Sequence, residues 1–424
     1  MFSEVRVRIL IASPYLPWPL WSGGNAAQFS TLHCLAQDHD FTLVCPVYSE
    51  AQRAYAQELQ RQLPQVRIRA AFCGTRPQPV PFRALRRGVR VARHLLKPLV
   101  HQDPNTSGRP LPWYPFQPLA EPFVAALQAE LDRGPDLCQA EFAEMLPLGS
   151  WFPDGLPKVF IQHQVHFVYA QRFLSSHGET PYGRYLEAIM RAQEVAFLRC
   201  FDRVVVFGEP DKLALAPYLD GSKLSVSPFP IPADVGVARE IPERFDGRFL
   251  FVGSEEHGPN RDALDWLLSD IWSGISRQLP WARLTVIGRW SESVKASYAT
   301  GPISFAGFVD NLSRVLRGGI MLVPLKIGSG IRAKILAALA QGVPVVTTPV
   351  GAEGLVVPEG CGCLIRSTAT EFAGAAVQLA RQPELWSQVA SSGMRAVART
   401  YSPESVRQRR NEIYSEVVAA HRAR

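Results

Sequence analysis

The chain has 424 residues, 47% of them hydrophobic and 20% charged, and a formal net charge of +7. That composition excludes collagen-like, coiled-coil, disordered and small disulfide-stapled proteins, and the length suits two or three globular domains. No apolar run reaches the ~18 residues of a membrane-spanning helix, the start Met1-Phe2-Ser3-Glu4 lacks the basic region of a secretory signal, and seven scattered cysteines fit a reducing, cytoplasmic setting.

Along the chain, short apolar runs alternate with helical patterns. Strands are predicted over 5–12, 41–47, 66–72, 137–142, 158–162, 203–207 and 224–227. A second series follows over 248–253, 283–288, 303–306, 320–324, 344–348 and 363–366. Helical periodicity fills 25–37, 184–198, 261–269 and 332–341 between them. Apolar strands joined by helices imply parallel sheets covered on both faces. The alternation pauses at Pro228-Phe229-Pro230-Ile231-Pro232 and over 240–247. The expected fold is therefore α/β, with two Rossmann-like, doubly wound parallel-sheet domains over 1–235 and 245–400, facing across a cleft. A last helix within 401–424 is expected to pack back on the first domain. Ligands of such sheets bind beyond the carboxyl ends of the strands, which makes the cleft the expected site.

The charge is uneven. Residues 76–118 hold Arg76, Arg83, Arg86, Arg87, Arg90, Arg93, Lys97 and Arg109 against Asp103 alone, and nine of the 35 prolines. Phe82, Leu85, Val89, Ala92 and Leu96 fall on one helical face, so a basic amphipathic helix is expected from Arg83 to Lys97. Such a helix suits an anionic membrane surface. No nucleic-acid recognition motif accompanies it, so no nucleic-acid partner is expected.

Two loops carry candidate chemistry. Ser22-Gly23-Gly24-Asn25 opens the first helix, where bare glycines admit a close ligand and free amides favour an anion. In the second half, Gly328-Ser329-Gly330-Ile331-Arg332-Ala333-Lys334 opens another helix with two cations in its first turn. The helix dipole disfavours cations at that end. A bound diphosphate would reverse the sign, because amides, Arg332 and Lys334 would together neutralise it. Glu209 and Asp211 read as helix-start acids, and Asp38-His39-Asp40 as a solvated turn. Cys361 and Cys363 read as small buried residues. No metal-binding spacing appears, so no metal site is expected.

These motifs, together with Phe251-Val252-Gly253-Ser254, Val286-Ile287-Gly288-Arg289, Phe305-Ala306-Gly307-Phe308, Gly342-Val343-Pro344-Val345-Val346 and Gly351-Ala352-Glu353-Gly354-Leu355, make the chain resemble a GT-B-fold glycosyltransferase of the large retaining family 4, also described as glycosyl transferases group 1. The resemblance runs over nearly the full length and implies a hexosyltransferase. It implies transfer of a hexose-type sugar from a nucleotide-diphosphate sugar, a UDP-sugar first among them, to a glycan, glycolipid or other acceptor, with retention and without metal or other cofactor. It further implies polysaccharide biosynthesis in the cytoplasm, at the inner face of the membrane if the basic helix docks there.

The resemblance also assigns residues. Arg332 and Lys334 hold the donor diphosphate, and the amides of Gly328, Ser329, Gly330 and Ile331 meet the sugar or its phosphate. Gly24 approaches that phosphate from the facing domain. Gly253, Ser254 and Arg289 line the donor side. His163, in His163-Gln164-Val165-His166, supports the reacting centre. His166 is its alternative, and with Gly23 it belongs to the acceptor side. No cation follows Gly253 over 255–258, and Arg261 is the substitute within reach. The family's two glutamates are replaced by Ser329 and Ala337. Alanine cannot accept ribose hydroxyls, which leaves Glu353 as the compensating carboxylate. That departure motivates one alternative, a catalytically silent GT-B subunit binding a partner or membrane. A sugar-nucleotide epimerase is the other.

Overall fold

A computed structural model describes residues 6–74, 117–298, 301–309, 311–328 and 330–423. The first sheet comprises β1 (Arg8–Ala12), β2 (Asp40–Val47), β3 (Arg67–Phe72), β4 (Leu137–Glu141), β5 (Lys158–Gln162), β6 (Arg203–Val206) and β7 (Leu224–Val226). Their order is β3-β2-β1-β4-β5-β6-β7. The second comprises β8 (Arg248–Val252), β9 (Arg283–Ile287), β10 (Ile303–Gly307), β11 (Ile320–Val323), β12 (Val345–Thr347) and β13 (Cys363–Ile365), ordered β10-β9-β8-β11-β12-β13. Every pairing is parallel. Each predicted strand is present, displaced by a residue or a few at its ends. The two doubly wound sheets thus stand as expected.

The physical reason lies in burial. β4 and β5 are buried along their whole length because helices cover both faces of the sheet, so their sequences are continuous rather than alternating. The strand order reverses between β1 and β4 in one sheet and between β8 and β11 in the other. Loops diverge at such switch points and leave a crevice. The loops after β1, β8 and β11 carry the Gly23-Gly24, Gly253-Ser254 and 328–334 motifs into it.

The helix Pro403–Arg422 crosses to the first sheet. Arg409 Nε donates to the Val226 carbonyl at 3.2 Å, and Arg203 pairs with Glu416 at 3.1 Å. The Asp38-His39-Asp40 turn is not merely solvated, as the sequence suggested. Asn411 Nδ2 donates to Asp38 at 2.8 Å, and the buried His39 ring lies 3.0 Å from Asn411 Oδ1. The turn is a docking point for the last helix. Of the basic insertion, the Arg83-to-Lys97 stretch lies outside the described residues, as does Ser329.

Tyr414 is fully buried beneath the first sheet, where its hydroxyl donates to Gln139 Oε1 at 2.7 Å. Tyr414→Phe removes that donor and leaves a buried acceptor short of a partner, a loss of about 1–3 kcal/mol. The expected outcome, read in a thermal melt, is a lower unfolding midpoint with unchanged secondary structure.

Candidate functional site

On the second-domain side, the backbone itself selects glycine. Gly328 has φ +133°, and a Cβ there would lie 2.9 Å from Arg332 Nη2. The guanidinium therefore folds over the loop, and its Nη2 donates to the Val350 carbonyl at 3.2 Å. Gly253 meets Asn260, whose Oδ1 would lie 2.7 Å from an added Cβ. Asn260 is the organising residue of this wall. Its Nδ2 donates to the Ser254 carbonyl at 3.0 Å, and its Oδ1 accepts from Lys334 Nζ at 2.7 Å. The Ser254 hydroxyl in turn accepts from the Arg289 backbone N–H at 3.1 Å.

The electrostatics of this wall are unbalanced. Burial pushes the Lys334 amine down to about 7, and the Arg332 charge adds to the effect. Among the described residues no carboxylate pairs with Lys334; its partners are the Asn260 amide oxygen and the Phe251 ring face, 5.5 Å away. Burial also pushes Arg332 down to about 10, opposed by Glu353. Two cations and the amino end of the helix Ala333–Ala340 thus converge on one spot. Arg261, the substitute cation, is already paired with Glu255 and Asp265, each at 3.0 Å. Among the described residues no cluster of three or more metal-ligating side chains occurs.

On the first-domain side, His163 follows β5. Its Nε2 lies 3.0 Å from Glu141 Oε2, and its ring stacks on Phe142 at 3.8 Å. Phe142 has φ 68°, a sparsely populated conformation for a bulky residue, held between β4 and the turn that follows it. Gly24 is bare because a Cβ would lie 2.9 Å from this ring. Behind His163 runs a buried chain. Glu141 Oε1 accepts from Gln139 Nε2 at 2.7 Å, and Gln139 Oε1 accepts from the Tyr414 hydroxyl at 2.7 Å. Gln139 and Glu141 are two apart on β4 and share a face, so the last helix orients His163 through the sheet. His166 is differently placed. Its Nδ1 lies 3.4 Å from the buried Glu194, whose carboxylate also accepts the backbone N–H of His166 at 3.0 Å and of Phe167 at 3.1 Å. Glu194 thereby caps the helix His166–His177.

The two sides meet. A Cβ on Gly330 (φ +78°) would lie 2.8 Å from the His163 carbonyl, one on Gly23 3.4 Å from Ala333 Cβ, and one on Gly208 3.0 Å from Gly354 Cα. Ile331 packs on Gly354. Arg172 reaches over from the helix His166–His177. Its Nη1 and Nη2 hold Glu353 at 2.6 and 2.5 Å, and Nη1 also donates to the Gly328 carbonyl. The buried Asp211 faces this group, and burial, then Glu353, pushes its carboxyl up to about 7. It is therefore part of an inter-domain charge cluster and more than a helix-start acid. Arg289 also crosses the cleft, with its guanidinium 4.8 Å from the Trp21 ring centre. The described candidate residues therefore gather in one cleft, except that His166 turns to Glu194, Glu353 is occupied by Arg172, and Ala337 is buried in its helix. Glu141, Gln139, Tyr414 and Arg172 carry no local sequence signal, whereas Asn260 belongs to the Pro259-Asn260 pair that follows the Gly253-Ser254 motif.

A family model described as glycosyl transferases group 1 matches residues 246–382. Full-length similarity appears among solved structures. HepE from Anabaena, solved with UDP and glucose, is 12% identical with a TM-score of 0.65, over 97% of this chain and 100% of that one. TarM from S. aureus is 10% identical with a TM-score of 0.67, over 98% and 99%. Sucrose-phosphate synthase from Thermosynechococcus elongatus is 15% identical with a TM-score of 0.68, over 98% and 100%. At such identities the likeness shows the fold, which is GT-B. No curated protein sequence matches significantly.

Arg172 ties the Gly328 carbonyl and Glu353 to the first domain. Arg172→Ala is expected to loosen the closed arrangement, read as a larger radius of gyration in X-ray scattering; an unchanged profile contradicts that role.

Proposed function

We propose that the protein is a retaining glycosyltransferase of family 4 that moves a hexose-type sugar from a nucleotide-diphosphate sugar, in the first instance a UDP-sugar, to a glycan or lipid-linked acceptor without a metal. The observation that carries the reading is the pair of buried cations, Arg332 and Lys334, at a helix amino end with Lys334 lacking a carboxylate partner among the described residues. Burying a cation without a counter-charge, as at Lys334, costs stability, and an incoming diphosphate removes that cost. The match of residues 246–382 to glycosyl transferases group 1 covers this loop and supports the same reading.

The chemistry follows from the placement. The bond from the anomeric carbon to the β-phosphate oxygen breaks while a bond to an acceptor hydroxyl oxygen forms on the same face. The leaving diphosphate takes the hydroxyl proton. Charge grows on that diphosphate in the transition state, where Arg332, Lys334 and the 328–334 amides stabilise it, and domain closure excludes competing water. His163, fixed by Glu141 and by the Phe142 stack, presents its backbone carbonyl to Gly330, and on this reading it supports the sugar next to the reacting centre. Gly24 and Gly23 leave room for the phosphates, and Gly253, Ser254 and Arg289 line the nucleotide side. Polysaccharide assembly in the cytoplasm, with the Arg83-to-Lys97 segment on an anionic membrane, completes the proposal. No described helix is long and apolar enough to cross a membrane.

One observation favours a second reading. Ala337 is only 2% exposed, and Glu353 is held by Arg172, so neither supplies a free carboxylate to a ribose. A GT-B subunit that binds a partner instead of a donor fits that. Lys334→Ala separates the two. For an active transferase it is expected to cost about 2–4 kcal/mol of transition-state stabilisation, a 30- to 1,000-fold loss in kcat/KM. The assay is UDP release from UDP-glucose with a glycan acceptor, with the anomeric configuration of the product read by NMR. Unchanged turnover contradicts the role of Lys334, and an inverted product contradicts retention.

A further inference from the structure

A pocket of about 530 Å³ opens on the first domain beside the cleft, beyond the ends of β1 and β2. Its wall is aromatic: Tyr15, Trp21, Tyr48 and Tyr55 line it together with Gln52 and Glu144. Three of these rings are unusually exposed, Tyr15 at 47%, Trp21 at 41% and Tyr48 at 56%. Apolar rings left open in a concave site mark a binding surface more than a folding requirement.

Packed rings link the pocket wall to the candidate reacting centre. Tyr15 meets Phe142 edge-on at 5.4 Å, and Phe142 stacks on His163. At the other end Trp21 packs edge-on against Tyr55 at 5.3 Å and lies under the Arg289 guanidinium of the second domain. A molecule seated against Tyr15 and Trp21 is therefore bracketed by the His163 side and the donor side.

The lining also restricts the chemistry of the occupant. Among the described residues no lysine or arginine lines the pocket, and Glu144 is its one carboxylate. Among those lining residues a phosphate or carboxylate finds no cation and one like charge, and the Arg289 guanidinium over Trp21 is paired with Glu256 at 3.2 Å. Glu144 accepts a hydrogen bond from the Tyr15 hydroxyl, and the Gln52 side-chain oxygen accepts from the Tyr48 backbone N–H at 2.6 Å. Their remaining lone pairs and the Gln52 amide suit hydroxyl groups. A pyranose has one face of C–H groups, which pack on the electron-rich face of an aromatic ring, and a rim of hydroxyls. The volume lies in the ~300–1,000 Å³ range of small-ligand sites.

We infer that this pocket receives the acceptor, and that the receiving end of the acceptor is a neutral pyranose unit stacked on the aromatic wall. The inference rests on the transferase reading and narrows it: lipid or phosphate groups of the acceptor, where present, lie outside this pocket.

The test uses the full-length protein and two parallel measurements. Saturation-transfer NMR with maltose, cellobiose and lactose probes the pocket, with glucose 1-phosphate and phosphatidylglycerol vesicles as anionic counterparts; calorimetry with UDP probes the donor site. At least one neutral disaccharide is expected to bind, and Tyr48→Ala and Trp21→Ala each weaken that binding about fivefold or more. UDP affinity in Tyr48→Ala stays within about twofold. The inference is overturned, with the transferase reading intact, if UDP binds but no neutral disaccharide does, if the variants bind the sugars as the parent does, or if only the anionic probes bind. Absence of both UDP and sugar binding overturns the two readings together.

Discussion

The contact on which the rest of the site depends is the grip of the first domain on the 328–334 loop of the second. Arg172 clamps Glu353 through both terminal nitrogens and donates to the Gly328 carbonyl. Gly330 sits against the His163 carbonyl so closely that no side chain fits. These interactions bring together two helix amino ends, that of Gly23–Leu35 and that of Ala333–Ala340, which belong to different sheets. The converging dipoles, the buried Arg332 charge and the partly protonated Lys334 amine raise the potential at one place. Neither domain alone presents that arrangement. A phosphate group is the simplest species that the combined site would stabilise, and closure of the cleft becomes linked to its arrival.

The clamp has a consequence for specificity. Arg172 consumes the carboxylate of Glu353, and the position expected to carry a ribose-binding glutamate is a buried alanine. On the proposed reading, recognition of a donor leans on its diphosphate and on the wall built by Asn260, Ser254 and Arg289. Asn260 couples these parts. It holds the Lys334 amine with one side-chain atom and the Ser254 carbonyl with the other. An asparagine can do this because its amide offers both a donor and an acceptor. Burial, and then the Arg332 charge, push the Lys334 amine down to about 7 in spite of this partnership, so an anion beside it would draw a proton onto it.

Much of the fold was legible because its strands are buried on both faces and stand out as apolar runs between helices. The site glycines were legible for a related reason. Gly328, Gly330 and Gly24 stand where a Cβ would strike Arg332, His163 or Phe142, and such positions cluster at loop ends before helices. The supporting contacts were not legible. The chain from Tyr414 through Gln139 and Glu141 to His163 joins residues hundreds of positions apart, and only the register of β4 against the last helix reveals it. Glu141 looks in sequence like any strand-end acid. Arg172 looks like one more surface arginine on an amphipathic helix. Asp38-His39-Asp40 looked like a solvent turn because nothing local predicts that Asn411 packs on it.

The most direct measurement is a calorimetric titration of the protein with UDP in EDTA at pH 8, repeated in buffers of different ionisation enthalpy. An amine that burial holds near 7 is mostly neutral at pH 8 and would become charged beside a diphosphate. The account predicts metal-independent binding with uptake of close to one proton, an affinity that falls as the pH rises above 7, and loss of the uptake in Lys334→Ala. Binding that requires a divalent metal, or that takes up no proton, would contradict it.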